Sequence, residues 1–495
     1  MLEINDFYLL QNTIMTKLLA SLKTWTGTTS NGAVTHKSTL NACLDLFFIA
    51  WASRRMEEKE ILRLFTLAFN EDKNTALKIL FWARDIRGGA GERRFFRIIW
   101  KYLMQAHPEV VEQLAKYVSE YGRWDDLFVE DYFLNNQVKP NVWNTIVEII
   151  STTLSEGIVN GTEGNNSGLL AKWMPRKWLV ASKLRNALML SAKDYRKMIV
   201  SLSKTVEQDM SANRWENIEF SKVPSQALNK YKKAWNTHLE EKFNAFLEKV
   251  NKWEAKLNAA TLFPYQVYRN YVEGVAYDLI EAQWANLPDY WAEGDILPVV
   301  DVSGSMTSMG YGRNLIPMDI AVSLGVYLAE RIKGRFNNHF ISFSWRPTLH
   351  TLNGTIVEKF MQIQDSGEDM NTNLVGVFDE LLRVSLRDNL TQEDLPKMLL
   401  IISDMEFDYC GRLPNFVTIK KKFEDAWYIL PHLVFWNVNG RADNVPVQEN
   451  EKFVSLVSGA SPSLIKGLLS WNIVTPYDTM LSIVNADRYK NIELH

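Results

Sequence analysis

The chain has 495 residues, 46% of them hydrophobic and 23% charged, with a formal net charge of −3. That length exceeds one ordinary domain and favours about two to four. The near-neutral balance excludes a global field drawing the chain to nucleic acid or membrane, so any such attraction has to come from local patches.

In chain order, Met1 to Leu10 carries Glu3 and Asp6 and no basic stretch, and the apolar window Leu44 to Ala52 contains Asp45 and runs into Arg54-Arg55. Neither reads as a secretory signal or a membrane span. Cys43 and Cys410 stand far apart without Cys-x-x-Cys spacing, which predicts two buried free thiols in a reducing compartment. The expectation is a soluble, cytoplasmic protein with no membrane partner.

From residue 5 to 290 the pattern predicts helix almost throughout. Leu40, Leu44, Phe47, Phe48 and Trp51 recur at three and four, as do Ile61, Leu64, Phe65 and Ala68, then Ala76, Leu77, Leu80 and Phe81. Stacked antiparallel helix pairs of a degenerate, HEAT-like kind fit this spacing. Three stretches stand out. Trp82 to Arg94 joins two helices through the glycine-rich Gly88-Gly89-Ala90-Gly91, and Arg84 to Lys101 carries six basic residues against two acidic. Tyr121-Gly122-Arg123-Trp124-Asp125-Asp126-Leu127 reads as a turn entering a helix. Lys172 to Lys197 carries eight basic residues against one acid, with Trp173, Trp178 and Tyr195 interleaved.

Between Ser155 and Gly168 the Gly- and Asn-rich composition predicts a loop. Ser225 to Leu257 predicts one long amphipathic helix with Tyr231, Trp235, Leu239, Phe243, Phe246 and Val250 as its packing stripe. Asn286 to Asp295 is the expected boundary, giving a helical-repeat domain over 1–290 and a second domain over 291–495.

The second half alternates strand and helix. Strand Ile296 to Val300 leads to helix Met318 to Ile332, strand Asn338 to Ser344, a hairpin partner at Thr348 to Leu352, and helices Glu358 to Gln364 and Leu374 to Val384. Strand Met398 to Ile402, a helix near Lys420, strands Leu433 to Asn437 and Phe453 to Ser458, and helix Pro462 to Ser470 follow. The class is α + α/β, the second half being Rossmann-like with a mainly parallel sheet covered on both faces. Pro298 conflicts with a central strand.

Asp301-Val302-Ser303-Gly304-Ser305 follows the first of these strands, Thr372 stands before a helix in Asp369-Met370-Asn371-Thr372-Asn373, and Ser403-Asp404 ends a third strand. Oxygen-only donors of this kind suit a hard cation, and open α/β sheets bind ligands outside the carboxyl ends of their strands. This order resembles the metal-ion-dependent adhesion site of the von Willebrand factor A fold, matched by Asp301, Ser303, Ser305, Thr372 and Asp404. The resemblance implies Mg²⁺, or another divalent cation such as Mn²⁺, and a partner protein that completes the coordination with an acidic side chain. Read without it, a Ser-rich turn capping a helix, and an N-cap threonine at Thr372, remain the alternatives.

The Trp82 to Arg94 stretch, Gly122 to Leu127, Lys172 to Pro175, Met210 to Trp215 and Val223-Pro224-Ser225 are similar to an uncharacterised family related to the TROVE proteins, which include the Ro autoantigen. That resemblance implies a ring or arc of HEAT-like helical repeats closed by a von Willebrand A domain and, in the Ro branch, binding of small structured RNAs and single-stranded RNA ends. The match to the uncharacterised branch is the closer one.

Candidate RNA contacts follow from the basic stretches. Arg84, Arg87, Arg93 and Arg94 either grip phosphates or pair with Asp85, Glu92 and neighbouring helix ends; both readings stand. Lys172, Trp173, Arg176, Lys177, Lys183 and Arg185 supply the cations and aromatic face on which single strands bind, or form a solvated helix with its tryptophans in the core. Catalysis finds no support: Ser303 and Ser305 lack a nucleophile elbow, the seven histidines form no local cluster, and the glycine turn lacks a P-loop ending. The expected function is therefore a non-enzymatic RNA-binding ribonucleoprotein scaffold, with a metal-dependent protein–protein interaction module as the alternative.

Overall fold

The computed structural model describes residues 26–128, 139–161, 166–203, 205–252, 254–255, 257, 262–290, 292–293, 295–307, 315–343, 347–367, 372–409, 415–468 and 475–494. The expectations placed on Met1 to Leu10, on residues 162–165 of the loop, on Asp369 to Asn371 and on Cys410 fall outside them. Ten strands lie among the described residues: β1 Thr26–Thr28, β2 Val34–His36, β3 Ala292–Glu293, β4 Ile296–Val300, β5 Ile332–Lys333, β6 His339–Ser342, β7 Thr348–Thr351, β8 Met398–Ser403, β9 His432–Asn437 and β10 Val454–Ser458.

The expectation of helix from residue 5 onward fails first at β1 and β2, an antiparallel hairpin. β-Branched Thr26, Thr28, Val34 and Thr35 flank Asn31-Gly32, and Gly32 has φ +86°, a backbone that the loop needs and most side chains resist.

Helices then follow at Ala42–Ile49, Glu58–Glu71, Lys73–Arg84 and Arg93–Ala106. Asn41 caps the first through a bond to the Leu44 amide, and Asp72 caps the third through Thr75. Later helices range from the 21 residues of Pro140–Asn160 to the 4 of Val118–Tyr121, so their pairs do not repeat at one length.

The single helix expected over Ser225 to Leu257 is three: Ser225–Lys230, Lys232–His238 and Glu240–Asn251. Asn236, Thr237 and His238 are weak helix formers, and Leu239 leaves the helical basin at φ −141°, ψ 32°. The breaks turn the stripe inward, and Trp235, Phe243 and Val250 are all buried.

The second half holds a six-stranded sheet in the order β10-β9-β8-β4-β6-β7, parallel except for antiparallel β7. The chain starts in the middle at β4, grows one way to β7, then returns to the other side at β8. The carboxyl ends of β4 and β8 therefore meet at the point where the order reverses. The Asp301 amide bonds Ile402 on β8, so the two-residue alternation turns the missing Pro298 donor towards β6. That ladder begins only at Val299, which removes the conflict over a central proline.

Alternate residues divide the sheet between two cores. Leu297, Val299, Leu399, Ile401, Leu433 and Phe435 pack on one face. Val300, Leu400, Ile402, Val434 and Trp436 join a core that continues into the helices of the first half. The last described residues close back on those helices: Arg488 and Tyr489 bond the buried Asp85 carboxylate, Lys78 pairs with Glu493 at 2.7 Å, and the Leu494 amide bonds Asn74. Among the described residues no helix is long and apolar enough to cross a membrane.

Candidate cation site and basic clefts

Asp301 follows β4 directly and is fully buried. The Ser403 hydroxyl donates to its Oδ2 at 2.6 Å and the Ser303 amide to its Oδ1 at 3.0 Å. The Ser303 and Ser305 hydroxyls lie 3.1 Å apart, and Ser305 hydrogen-bonds Asp404. Asp404 follows β8, is buried, and accepts the Glu406 amide at 3.2 Å. Between them Met405 holds φ +65° while fully buried, a left-handed conformation that costs a non-glycine residue roughly 1–2 kcal/mol. Four of the five expected oxygen donors thus form one connected group.

Both carboxyls are pushed above the usual range, first by burial. The charge of Asp301 adds to this at Asp404, and that of Asp408 at Asp301. Neither forms an ion pair with Lys, Arg or His among the described residues. No cluster of three His, Cys, Asp or Glu suited to a metal occurs among those residues, so a cation at this point would depend on hydroxyl oxygens as well as the two carboxylates.

Thr372 is also buried, but its bonds run elsewhere. Its amide and hydroxyl bond Asp408 at 3.0 and 2.9 Å, its hydroxyl lies 2.9 Å from the Glu406 carbonyl, and Asn31 Nδ2 donates to that hydroxyl at 2.9 Å. Ser403, Asp408 and Asn31 are therefore partners that sequence reasoning missed. The alternation Asp404, Glu406, Asp408 after β8 was the available signal for the second of them; Asn31 has none nearby in the chain. Glu406 itself is held by Arg441 at 3.0 Å, Asn444 at 3.3 Å and the Ser30 amide.

The glycine-rich turn is folded against its own helix. The amides of Ala90 and Gly91 bond the carbonyls of Trp82 and Asp85 at 3.1 and 3.0 Å, and a Cβ on Gly89 would stand 1.9 Å from the Trp82 carbonyl. The glycines serve that close approach rather than an open phosphate cradle. Arg84, expected as an RNA contact, is buried and pairs with Asp126 at 2.7 Å, so it cannot reach a phosphate. Half-buried Arg94 donates to the Ser53 carbonyl at 3.3 Å, exposed Arg87 donates to the Glu120 carbonyl at 3.1 Å, and Arg93 is exposed.

The second basic stretch is arranged differently. Lys172, Arg176 and Lys177 are exposed, and Trp173 is half-buried with the Arg123 guanidinium 4.1 Å over its ring. Trp173, Arg176, Lys177 and Arg97 line a cleft of ≈ 400 Å³. Arg176 also lines an adjoining cleft of ≈ 310 Å³ with Arg185, Tyr195 and Arg196. The Tyr195 hydroxyl donates to the Pro175 carbonyl at 2.9 Å, tying the two together. Lys183 is half-buried, and the Trp178 side chain lies outside the described ones.

Two family models match the chain. One, described as a domain of unknown function (DUF2828), covers residues 29–128 and 149–292. The other, a domain of unknown function (DUF7788), covers 295–491. An uncharacterized protein of Acanthamoeba polyphaga mimivirus is 29% identical over 504 residues, covering 92% of this chain and 86% of the relative. Among solved structures, the Deinococcus radiodurans RO (RSR) protein is similar at 11% identity over 88% of this chain and 93% of that one, with a TM-score of 0.38, too low to support an inference.

Proposed function

We propose that this chain is a non-enzymatic RNA-binding scaffold. Its helical half, read as HEAT-like repeats of the TROVE kind, carries the RNA, and its sheet half, read as a von Willebrand A domain, holds a divalent cation, Mg²⁺ or Mn²⁺. The observation that carries the RNA reading is the pair of joined clefts that share Arg176. Arg176, Lys177 and Arg196 have no carboxylate partner among the described residues, and they line these clefts together with half-buried Trp173 and the buried Tyr195. Cations beside aromatic faces are what a single strand needs for its phosphates and bases.

The cation reading is supported by two buried carboxylates, just past the ends of adjacent strands, that lack a basic partner among the described residues, with Ser303 and Ser305 beside them. Asp301 and Asp404 would supply charge, and the hydroxyls neutral oxygens. A hard cation held there would supply the positive charge that draws in a carboxylate from a partner protein. No serine in this group has a histidine base. Among the described residues the bonded histidine–serine pairs are His350 with Ser342 and His432 with Ser455, and both serines are buried.

A metal-dependent protein contact without RNA is the second reading, favoured by the loss of Arg84 to an ion pair with Asp126. Fluorescence anisotropy with a short single-stranded RNA at several salt concentrations separates the two. RNA binding weakens steeply with salt and fails when Lys172, Arg176 and Lys177 are reversed in charge. Absence of binding at low salt leaves the protein contact in the lead. Asp301→Ala should abolish cation-dependent partner binding and leave RNA affinity intact; equal loss of both would refute the two-site picture.

A further inference from the structure

The hairpin β1–β2 comes from the opposite end of the chain to β8, yet its tip rests on Thr372 and on the segment that directly follows Asp404. Asn31 Nδ2 donates to the Thr372 hydroxyl at 2.9 Å and to the Glu406 carbonyl at 2.7 Å. The Asn31 carbonyl accepts the Tyr409 amide at 3.3 Å, and Gly32 forms a bridge opposite Asp408. Glu406, anchored by Arg441 and Asn444, receives the Ser30 amide, and the Thr29 hydroxyl donates to the Phe407 carbonyl at 2.7 Å. Four consecutive residues of the hairpin thus engage the segment that follows Asp404.

The bonding capacity of one hydroxyl gives this contact its meaning. A threonine Oγ has one proton and two lone pairs. At Thr372 the proton is directed to the Asp408 carboxylate or the Glu406 carbonyl, and Asn31 occupies one lone pair. A single lone pair remains, and its direction is set by the other bonds. Without Asn31 the hydroxyl regains a choice of orientation.

We propose that Asn31 is a positioning residue of the cation site, orienting Thr372 Oγ1 so that cation binding and docking of the β1–β2 hairpin stabilise each other. The inference rests on the cation reading above. Partners one bond removed from a metal ligand are worth 10- to 100-fold in affinity, and coupling of two binding events is reciprocal. An ion on the sheet therefore tightens a hairpin contributed by the other half of the chain. This makes the site a property of the whole chain rather than of residues 291–495.

The test uses the full chain, titrated calorimetrically with Mg²⁺ and Mn²⁺, as wild type, Asn31→Ala and Asp301→Ala. In parallel, hydrogen exchange of the Ser30, Gly32 and Tyr409 amides is followed in the wild type with and without Mg²⁺. The expected result is a tenfold or greater loss of affinity in Asn31→Ala, complete loss in Asp301→Ala, and slower exchange at the three amides when Mg²⁺ is present. Wild-type affinity in Asn31→Ala overturns the role of Asn31 and leaves the cation site standing. A wild type that binds neither ion overturns the site and this inference together. Should Asn31→Ala fail to fold, the exchange measurement decides alone, and amides indifferent to Mg²⁺ refute the coupling.

Discussion

The two basic stretches of the helical half look alike as sequence and differ as structure. Around the glycine turn, Arg84 is buried against Asp126, Arg97 reaches Asp125 and Asp126, and Arg54 pairs with Glu92. Across Lys172 to Lys197, Arg176 and Lys177 lie exposed at the mouths of clefts. The lesson is that a run of positive charge carries no statement about partners until the position of each carboxylate is known. In the first stretch the charge holds helices together; in the second it is available to a ligand.

The largest effect that sharpens this contrast is expected from Asp126→Ala. The carboxylate accepts Arg84 Nε, Arg97 Nε and the Arg123 amide at 2.7, 2.7 and 2.9 Å. Its removal leaves a buried guanidinium unpaired and should cost about 3–5 kcal/mol, read as a fall in the urea midpoint. Reversal of Arg176 and Lys177 should instead leave the stability read from that midpoint within about 0.5 kcal/mol of wild type. A comparable loss in both would erase the distinction.

Asp45 shows what burial does to a carboxylate held by a neighbouring hydroxyl and amide rather than clasped by arginine. Burial pushes it up to about 6, against the lowering effect of bonds from Ser38 and Thr39. Because the folded group holds its proton more tightly than the unfolded one, its stabilising contribution is complete below about pH 4 and is lost as pH rises through about 6. With about 1.4 kcal/mol per pKa unit, roughly 2–3 kcal/mol of stability should disappear across that window. Asn in place of Asp45 should flatten the profile of urea midpoint against pH; an unchanged slope would assign it to another group.

The smallest effect concerns Arg93. It is exposed and stands one helical turn from Arg97, which lines the cleft with Arg176. Arg93→Ala is expected to reduce the slope of log affinity for single-stranded RNA against log salt by about 0.7, the value of one phosphate contact. An unaltered slope would give the whole glycine turn to folding.

Much of the sheet half was legible because its signals are local. The runs at Ile296 to Val300 and Met398 to Ile402 appear as β4 and β8, and Asp301 and Asp404 stand at their ends. The β1–β2 hairpin was legible in principle through Asn31-Gly32, but the helical spacing that begins at Leu40 drew the reading past it. The single helix expected after Ser225 failed for another reason. Its stripe continues through Leu239, while the backbone there breaks so that Trp235 and Phe243 can both reach the core.

By itself the sequence determined the order of the main strands of the sheet half, their faces and the oxygen-bearing residues gathered at the reversal of strand order. Periodicity of two or of 3.6 and parallel crossovers are written in neighbouring residues. Only the tertiary structure decided which charges are buried and what covers the site. Those contacts join residues 42 apart at Arg84 and Asp126, 341 apart at Asn31 and Thr372, and 403 apart at Asp85 and Arg488. A side chain's partner at such separation is set by how whole helices and strands pack, and no local pattern encodes it.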